Sequence, residues 1–363
     1  MSRILIAGGG TAGHVVPALA VADVLSERGY EVHFCGGPRG MEGTLVPGAG
    51  YPFNVVRIRG FSRRVGMSTI RTLASLPVAA VDAWSLLRRL KPACVVGVGA
   101  YASGPVVAEA AVRGVPTVVV EMDSHIGWTN TILSHMVDRV CLSFPGPDEE
   151  GSKYRYTGRP VRPGLLAATR AEGLARFELD PSRPVVVVFG GGHGARSLNT
   201  ATLEAFGARE TAFSLVHVAG EHDVARVRDA VETGPNRRYR VFGYLDDFPL
   251  ALAAADLAVS RAGGSVAELL ARGVPSILVP YPHATGDHQM KNAQAVAAAG
   301  AAVVVPDVEL TCERLTVEVE RLLDPDVLAT MGAAALRLAK PQAAALIADQ
   351  IAELAGPPRS VSR

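Results

Sequence analysis

Nothing in this chain approaches the run of about 20 apolar residues that a membrane span requires, although 48% of its 363 residues are hydrophobic. Charge imbalance is absent as well: 36 basic residues face 35 acidic ones, a net charge of +1, so nothing in the balance points to a nucleic-acid partner. The four cysteines (Cys35, Cys94, Cys141 and Cys312) have no CxxC spacing, which argues against a zinc ribbon or a disulfide framework. They are expected as small buried hydrophobes in a reducing cytoplasm. His283, Asp287 and His288 lie close in sequence, but no HxxH or HExxH spacing accompanies them, and no metal site is expected. A strand pattern begins within the first residues, so no signal peptide is expected.

What is present is alternation. Short β-branched runs at Ile4–Ala7, Val32–Cys35, Cys94–Val98, Thr117–Val120 and Val140–Ser143 read as strands. Alanine-rich stretches at Ala18–Arg28, Gly104–Val112 and Thr129–Val137 read as helices between them. The pattern restarts at Val185–Phe189 and continues through Leu215–Ala219, Arg240–Phe242, Leu257–Ser260, Ser276–Pro280 and Ala302–Val305. Repeated βαβ units predict an α/β protein with parallel sheets. The Gly- and Pro-rich stretch Tyr156–Gly164 reads as a hinge. The domains expected are residues 1–160, residues 161–340 and a terminal helix (Pro341–Ala355) with a frayed tail, Gly356–Arg363. The fold class predicted is two Rossmann-like domains facing across a cleft.

Two glycine-rich turns, each between a strand and a helix, carry the chemistry. The first, Gly8-Gly-Gly-Thr-Ala-Gly-His14, ends in a histidine at a helix start. The helix dipole disfavours a cation there, so His14 reads as a neutral general base or as an ordinary N-terminal histidine. The second, Gly190-Gly-Gly-His-Gly-Ala195, can present backbone N–H groups to a diphosphate. Ser260-Arg-Ala-Gly-Gly-Ser-Val-Ala-Glu268 repeats the strand–turn–helix design. Its Glu268 suits either a ribose or a capping box with Ser265. Asp287, His288 and Gln289 fall in a polar, turn-rich stretch suited to a polyhydroxylated group, and Gly97–Pro105 forms a third small-residue turn. Arg57, Arg59, Arg63, Arg64, Arg71, Arg88, Arg89 and Lys91 bracket Leu73, Leu76, Val78, Val81 and Trp84. That pattern suits an anionic bilayer surface, or an amphipathic helix whose apolar face is core.

In order and spacing, these motifs resemble glycosyltransferase family 28, the MurG-type peptidoglycan N-acetylglucosaminyltransferases. The matching segments are Gly9–His14, Gly99–Pro105, Gly158-Arg-Pro-Val-Arg162, Gly190–Arg196, Ser260–Glu268 and Asp287–Gln289 through Ala293. The resemblance implies a GT-B fold. It further implies metal-independent, inverting transfer of GlcNAc from UDP-GlcNAc to undecaprenyl-diphospho-muramoyl-pentapeptide, in cell-wall synthesis serving cell shape and division. No cofactor is implied beyond the UDP-GlcNAc donor. By motif position, the donor contacts are Thr11, Gly13, Arg162, Gly191, Gly192, His193, Gly194, Ala195, Gly264, Ser265, Glu268, His288 and Gln289. His14 and Glu121 become the catalytic candidates, and Tyr101, Ser103, Asp123 and His125 the acceptor contacts. The resemblance also implies peripheral attachment to the anionic inner leaflet, on the cytoplasmic face of the membrane.

The chain departs from the family pattern at Val120-Glu-Met-Asp123, at Gly192-His193 and at His288. The altered Val120–Asp123 stretch keeps open a related transferase with another acceptor; a UDP-GlcNAc epimerase and a non-catalytic nucleotide-sugar-binding subunit are the rival classes.

Overall fold

The computed structural model describes residues 2–358 apart from 39, 59–66, 100, 101, 146–151, 163, 193, 233, 235 and 237, and only the backbone of 12, 67–74 and 285. The chain forms two compact units. The first comprises residues through Val161 together with those from Lys340 onward, and the second is Arg162–Ala339.

The first unit is built on a parallel sheet of seven strands: β1 (Arg3–Ala7), β2 (Glu31–Gly36), β3 (Phe53–Val55), β4 (Cys94–Gly97), β5 (Thr117–Glu121), β6 (Arg139–Leu142) and β7 (Tyr154–Tyr156). Their order is β3-β2-β1-β4-β5-β6-β7. The chain therefore reverses direction across the sheet between β1 and β4, the kind of point where open α/β sheets hold ligands. Ile4, Leu5, Ile6, Val95, Val96, Val118 and Val119 are wholly buried. Helices cover both faces of such a sheet, so its central strands are apolar throughout. The two edge strands, Phe-Asn-Val and Tyr-Arg-Tyr, are partly exposed and lack the apolar run that marks the others; the sequence reading missed both.

The helices of this unit are α1 (Ala12–Glu27), α2 (Glu42–Gly48), α3 (Met67–Leu90), α4 (Ser103–Val112) and α5 (Trp128–Ser134). Helix α1 starts six residues before the expected Ala18, because the glycine turn feeds straight into it. Pro17 lies inside α1 and has no N–H for the Gly13 carbonyl. The Arg159 guanidinium supplies the missing donor, with Nη2 2.5 Å from that oxygen.

The second unit has six parallel strands: β8 (Val185–Phe189), β9 (Ser214–Val218), β10 (Tyr239–Phe242), β11 (Leu257–Ser260), β12 (Ser276–Leu278) and β13 (Ala302–Val304). The order β10-β9-β8-β11-β12-β13 repeats the first sheet's winding. Its helices are α6 (Arg170–Arg176), α7 (Arg196–Phe206), α8 (Val224–Glu232), α9 (Phe248–Ala254), α10 (Val266–Arg272), α11 (His288–Ala298), α12 (Cys312–Leu322) and α13 (Pro325–Leu338).

The last helix, α14 (Ala343–Ala355), belongs to the first unit and packs on α1. Its Ile347, Ala348 and Ile351 join Ile4, Val21 and Leu25 in one core. Each buried isoleucine, valine or leucine among them contributes about 1.5–3 kcal/mol. The tail expectation needs correction at Gly356, whose carbonyl accepts from the Tyr30 hydroxyl at 2.7 Å; residues 359–363 lie outside the described ones. Cys35, Cys94 and Cys141 are buried, whereas Cys312 is partly exposed at the start of α12.

Candidate active site

In the first unit, the turn after β1 is shaped by a carboxylate that the sequence reading overlooked. Glu42 is 2% exposed; its Oε2 accepts the Gly10 N–H at 2.6 Å and its Oε1 the Gly37 N–H at 3.0 Å. A Cβ at Gly9, Gly36 or Gly40 would collide with that side chain. Gly8, Gly9 and Gly10 all have positive φ. Thr11 occupies the N-cap of α1 without capping it; its hydroxyl instead meets His14 Nδ1 at 3.2 Å. The His14 ring lies on Gly99, where a Cβ would come within 3.1 Å of Cδ2.

Glu121, expected as an alternative base, is 5% exposed; Oε1 accepts from Asp123 N–H at 3.1 Å, and Oε2 from Gly127 N–H at 2.9 Å and Asn130 Nδ2 at 2.8 Å. Burial pushes its carboxyl above the usual range, while the donated hydrogen bonds pull the other way. A carboxylate holding three donors in place organises the 121–130 loop. Ser103 needs correction: it is wholly buried at the start of α4 against Gly97 and offers no surface to an acceptor. Asp123 and His125 line a cavity of about 270 Å³ with Thr131 and Phe144. Arg159 Nη1 reaches the Met122 carbonyl at 2.6 Å, tying that loop to α1. Tyr101 lies outside the described residues.

In the second unit, the described residues of the turn after β8 are glycines and one alanine. Gly191 (φ 88°) and Gly192 are exposed, and a side chain at either would meet nothing. Gly190 and Gly194 are forced instead, since a Cβ would strike Ala195 or the Ala219 carbonyl. Ala195 is the N-cap of α7 and places no side chain over that helix end. His193 lies outside the described residues. Beneath the turn, Asn199 Nδ2 donates to the Ala219 carbonyl (2.8 Å) and to Asp223 (2.7 Å), while its Oδ1 meets His217 Nε2 at 2.9 Å. His217 Nδ1 in turn meets the Tyr239 hydroxyl at 2.7 Å. Burial drives the His217 pKa down to about 3, so the ring is neutral.

Glu268 is 6% exposed in the first turn of α10. Ser265 is the N-cap but makes no side-chain cap, so the capping-box alternative fails. Arg162 Nε donates to Glu268 at 2.8 Å, and the guanidinium stacks over Phe248 at 4.9 Å. Gln289, on the first turn of α11, accepts the Tyr281 N–H at 2.9 Å and lies close to Gly263. His288 opens α11, and Gly264 sits one residue before Ser265. Arg261, unassigned by the sequence reading, bonds Ser197 Oγ (2.8 Å), the Val279 carbonyl (3.1 Å) and Asp307. It ties the turn after β8 to those after β11 and β12. Among the described residues, no three His, Cys, Asp or Glu side chains converge as metal ligands.

Two Rossmann-order sheets, each with a glycine turn at its switch point, define a protein that handles nucleotide-linked substrates. The chain belongs to glycosyltransferase family 28: residues 4–142 match the family's N-terminal domain and residues 185–351 its C-terminal domain. It is 41% identical to the UDP-N-acetylglucosamine–N-acetylmuramyl-(pentapeptide) pyrophosphoryl-undecaprenol N-acetylglucosamine transferase of Moorella thermoacetica, over 94% of this chain and 96% of that one. It is 35% identical to the Halothermothrix orenii protein of the same name, with the same coverage. Among solved structures, Acinetobacter baumannii MurG superposes with a TM-score of 0.81 at 28% identity, over 97% of this chain and all of the other. The fold is GT-B.

Proposed function

We propose that this chain transfers N-acetylglucosamine from UDP-N-acetylglucosamine to a muramoyl-pentapeptide carried on undecaprenyl diphosphate. The supporting observations are the exposed Gly191 and Gly192 of the turn that leads into the N-terminus of α7, and a buried Glu268 oriented by Arg162. Gly191, Gly192, Gly194 and Ala195 turn N–H dipoles toward the diphosphate and stabilise the charge that gathers as UDP leaves. Those dipoles are fixed before reaction, so in this reading no divalent ion is needed. Glu268 accepts the ribose hydroxyls, Arg162 lies against the base, and Gln289, His288, Gly264 and Ser265 meet the sugar.

His14 takes the proton of the acceptor hydroxyl as that oxygen attacks the anomeric carbon from the face opposite UDP, giving inversion. With Nδ1–H donated to Thr11 Oγ1, the proton-accepting lone pair sits on Nε2. The Thr11 hydroxyl, which can donate or accept, holds the ring in place, and Thr11 and Gly13 meet the donor. Asp123 and His125 contact the acceptor.

The exposed Val78, Val81 and Trp84 of α3, with Arg88 over Trp84 at 5.4 Å and Arg89 nearby, form the membrane-facing surface toward anionic lipid. Arg57 does not add to that charge, because Asp82 neutralises it at 2.7 Å. Arg59, Arg63 and Arg64, and the side chains of Arg71 and Leu73, lie outside the described residues. No helix among the described residues is long and apolar enough to cross a membrane.

Labelled UDP-GlcNAc supplied with and without the lipid-linked muramoyl acceptor tests the reading. The expected result is acceptor-dependent UDP release, with a product heavier by one N-acetylhexosamine and no loss of rate in EDTA. Sugar turnover without acceptor would instead indicate the epimerase class, and transfer only to other acceptors would indicate a different branch of the fold.

A further inference from the structure

Helices α3, α4 and α5 enclose a groove of about 480 Å³ that none of these roles uses. Its volume lies within the range of ligand sites. The lining includes Leu76, Ala108, Val112, Trp128, Ile132 and Met136. Among the described lining residues the one charge, Glu109, pairs with Arg113 at 2.6 Å. The rim is apolar and open to solvent: Val112 and Trp128 are 76% and 70% exposed. So much contiguous exposed hydrocarbon marks a binding surface.

We infer that this groove holds the proximal isoprene units of the acceptor's polyprenyl chain, an inference that rests on the acceptor class proposed above. Two observations select that occupant. The groove's lining includes Trp128, three residues beyond His125, and its Thr129 and Ile132 flank in sequence Thr131 of the cavity that Asp123 and His125 line. A chain attached to an acceptor head bound at the 123–125 loop therefore meets it first. Its described walls are mostly hydrocarbon, with Thr129, the Trp128 indole and the Glu109–Arg113 pair the polar groups, which suits an isoprenoid. A bilayer surface would lie on the exposed Val78, Val81 and Trp84 but cannot fill a concave slot, whereas a single chain can.

The test compares two acceptors with the same diphosphate-muramoyl head, one carrying a geranyl and one a long polyprenyl chain, in the full-length wild type and in Ala108→Trp and Ile132→Asp. The wild type is expected to prefer the long chain in kcat/KM by about tenfold or more, the equivalent of burying a few methylenes. In both variants that preference is expected to fall to near unity. Variants that keep the preference while retaining their melting temperature would overturn the groove, and so would loss of vesicle binding with the preference intact. A second readout needs no turnover. In a Trp84→Phe background, Trp128 is the one remaining tryptophan of the chain's two, and farnesyl diphosphate should shift its emission. No shift would overturn the groove even if transfer is confirmed, and a shift without transfer would overturn the activity reading instead.

Discussion

Glu42 Oε2 lies 2.6 Å from the Gly10 nitrogen, so a side chain of the protein occupies an N–H of the first glycine turn. A second backbone N–H, from Gly37, completes the contact. The glycines around it are as much a socket for this carboxylate as a site for any ligand. Through Gly10, Thr11 and the start of α1, that contact fixes where the His14 ring stands.

Replacing Glu42 by Gln keeps one acceptor oxygen but turns an amide N–H₂ toward a backbone donor. Each buried N–H left without an acceptor costs about 1–3 kcal/mol. We expect a lower melting temperature together with a loss of kcat, and an unchanged Kd for UDP. Calorimetry and steady-state kinetics check this; wild-type stability would show that the socket is dispensable.

His14→Ala should lower kcat by roughly 10²–10⁴-fold, the usual contribution of general-base catalysis. UDP affinity should survive. Thr11→Val should cause a smaller loss and alter the pH profile of kcat, because the hydrogen bond that holds the ring is removed. Turnover near wild type for His14→Ala would remove the histidine from the chemistry.

Glu268→Gln replaces an ionised acceptor of ribose hydroxyls, and charge-assisted hydrogen bonds are worth about 1.5–3 kcal/mol, roughly 10- to 150-fold in Kd. UDP titration by calorimetry should show a loss in that range. Arg162→Ala should also weaken binding, since it leaves the buried Glu268 carboxylate without its 2.8 Å partner. Unaltered affinity in both would move the nucleotide elsewhere.

His217 gives a pH prediction. Its pKa is depressed from 6.5 to about 3 by burial. Above pH 6.5 the ring is neutral in both folded and unfolded chains, and its contribution is fully present. Between 6.5 and about 3 only the unfolded chain takes the proton, so stability falls with acidification, by about 1.4 kcal/mol per pH unit at the steepest. Urea midpoints measured across this window should fall less steeply in His217→Gln than in the wild type; parallel slopes would contradict the assignment.

Much of the scaffold was legible because central parallel strands are buried on both faces. Val185–Phe189 and Thr117–Val120 announce themselves as unbroken β-branched runs. The edge strands Phe53–Val55 and Tyr154–Tyr156 do not, because partial exposure removes that constraint. Glycine turns were legible for a similar reason: positive φ at Gly10, Gly191 and Gly194 leaves few alternatives. Glu42 and Arg159 were not. Their partners, Gly10 and Gly13, lie 32 and 146 residues away, and no local pattern marks such contacts.

The sequence by itself determined the alternation of elements, the two glycine turns and their positions at strand ends, since steric and burial rules act on neighbouring residues. Only the tertiary structure decided what each acidic residue does. Glu42, Glu121 and Glu268 are all buried, but the first grips a turn, the second braces a loop and the third is held by an arginine. The physical reason is that a carboxylate's role follows from which donors surround it, and folding assembles those donors from distant parts of the chain.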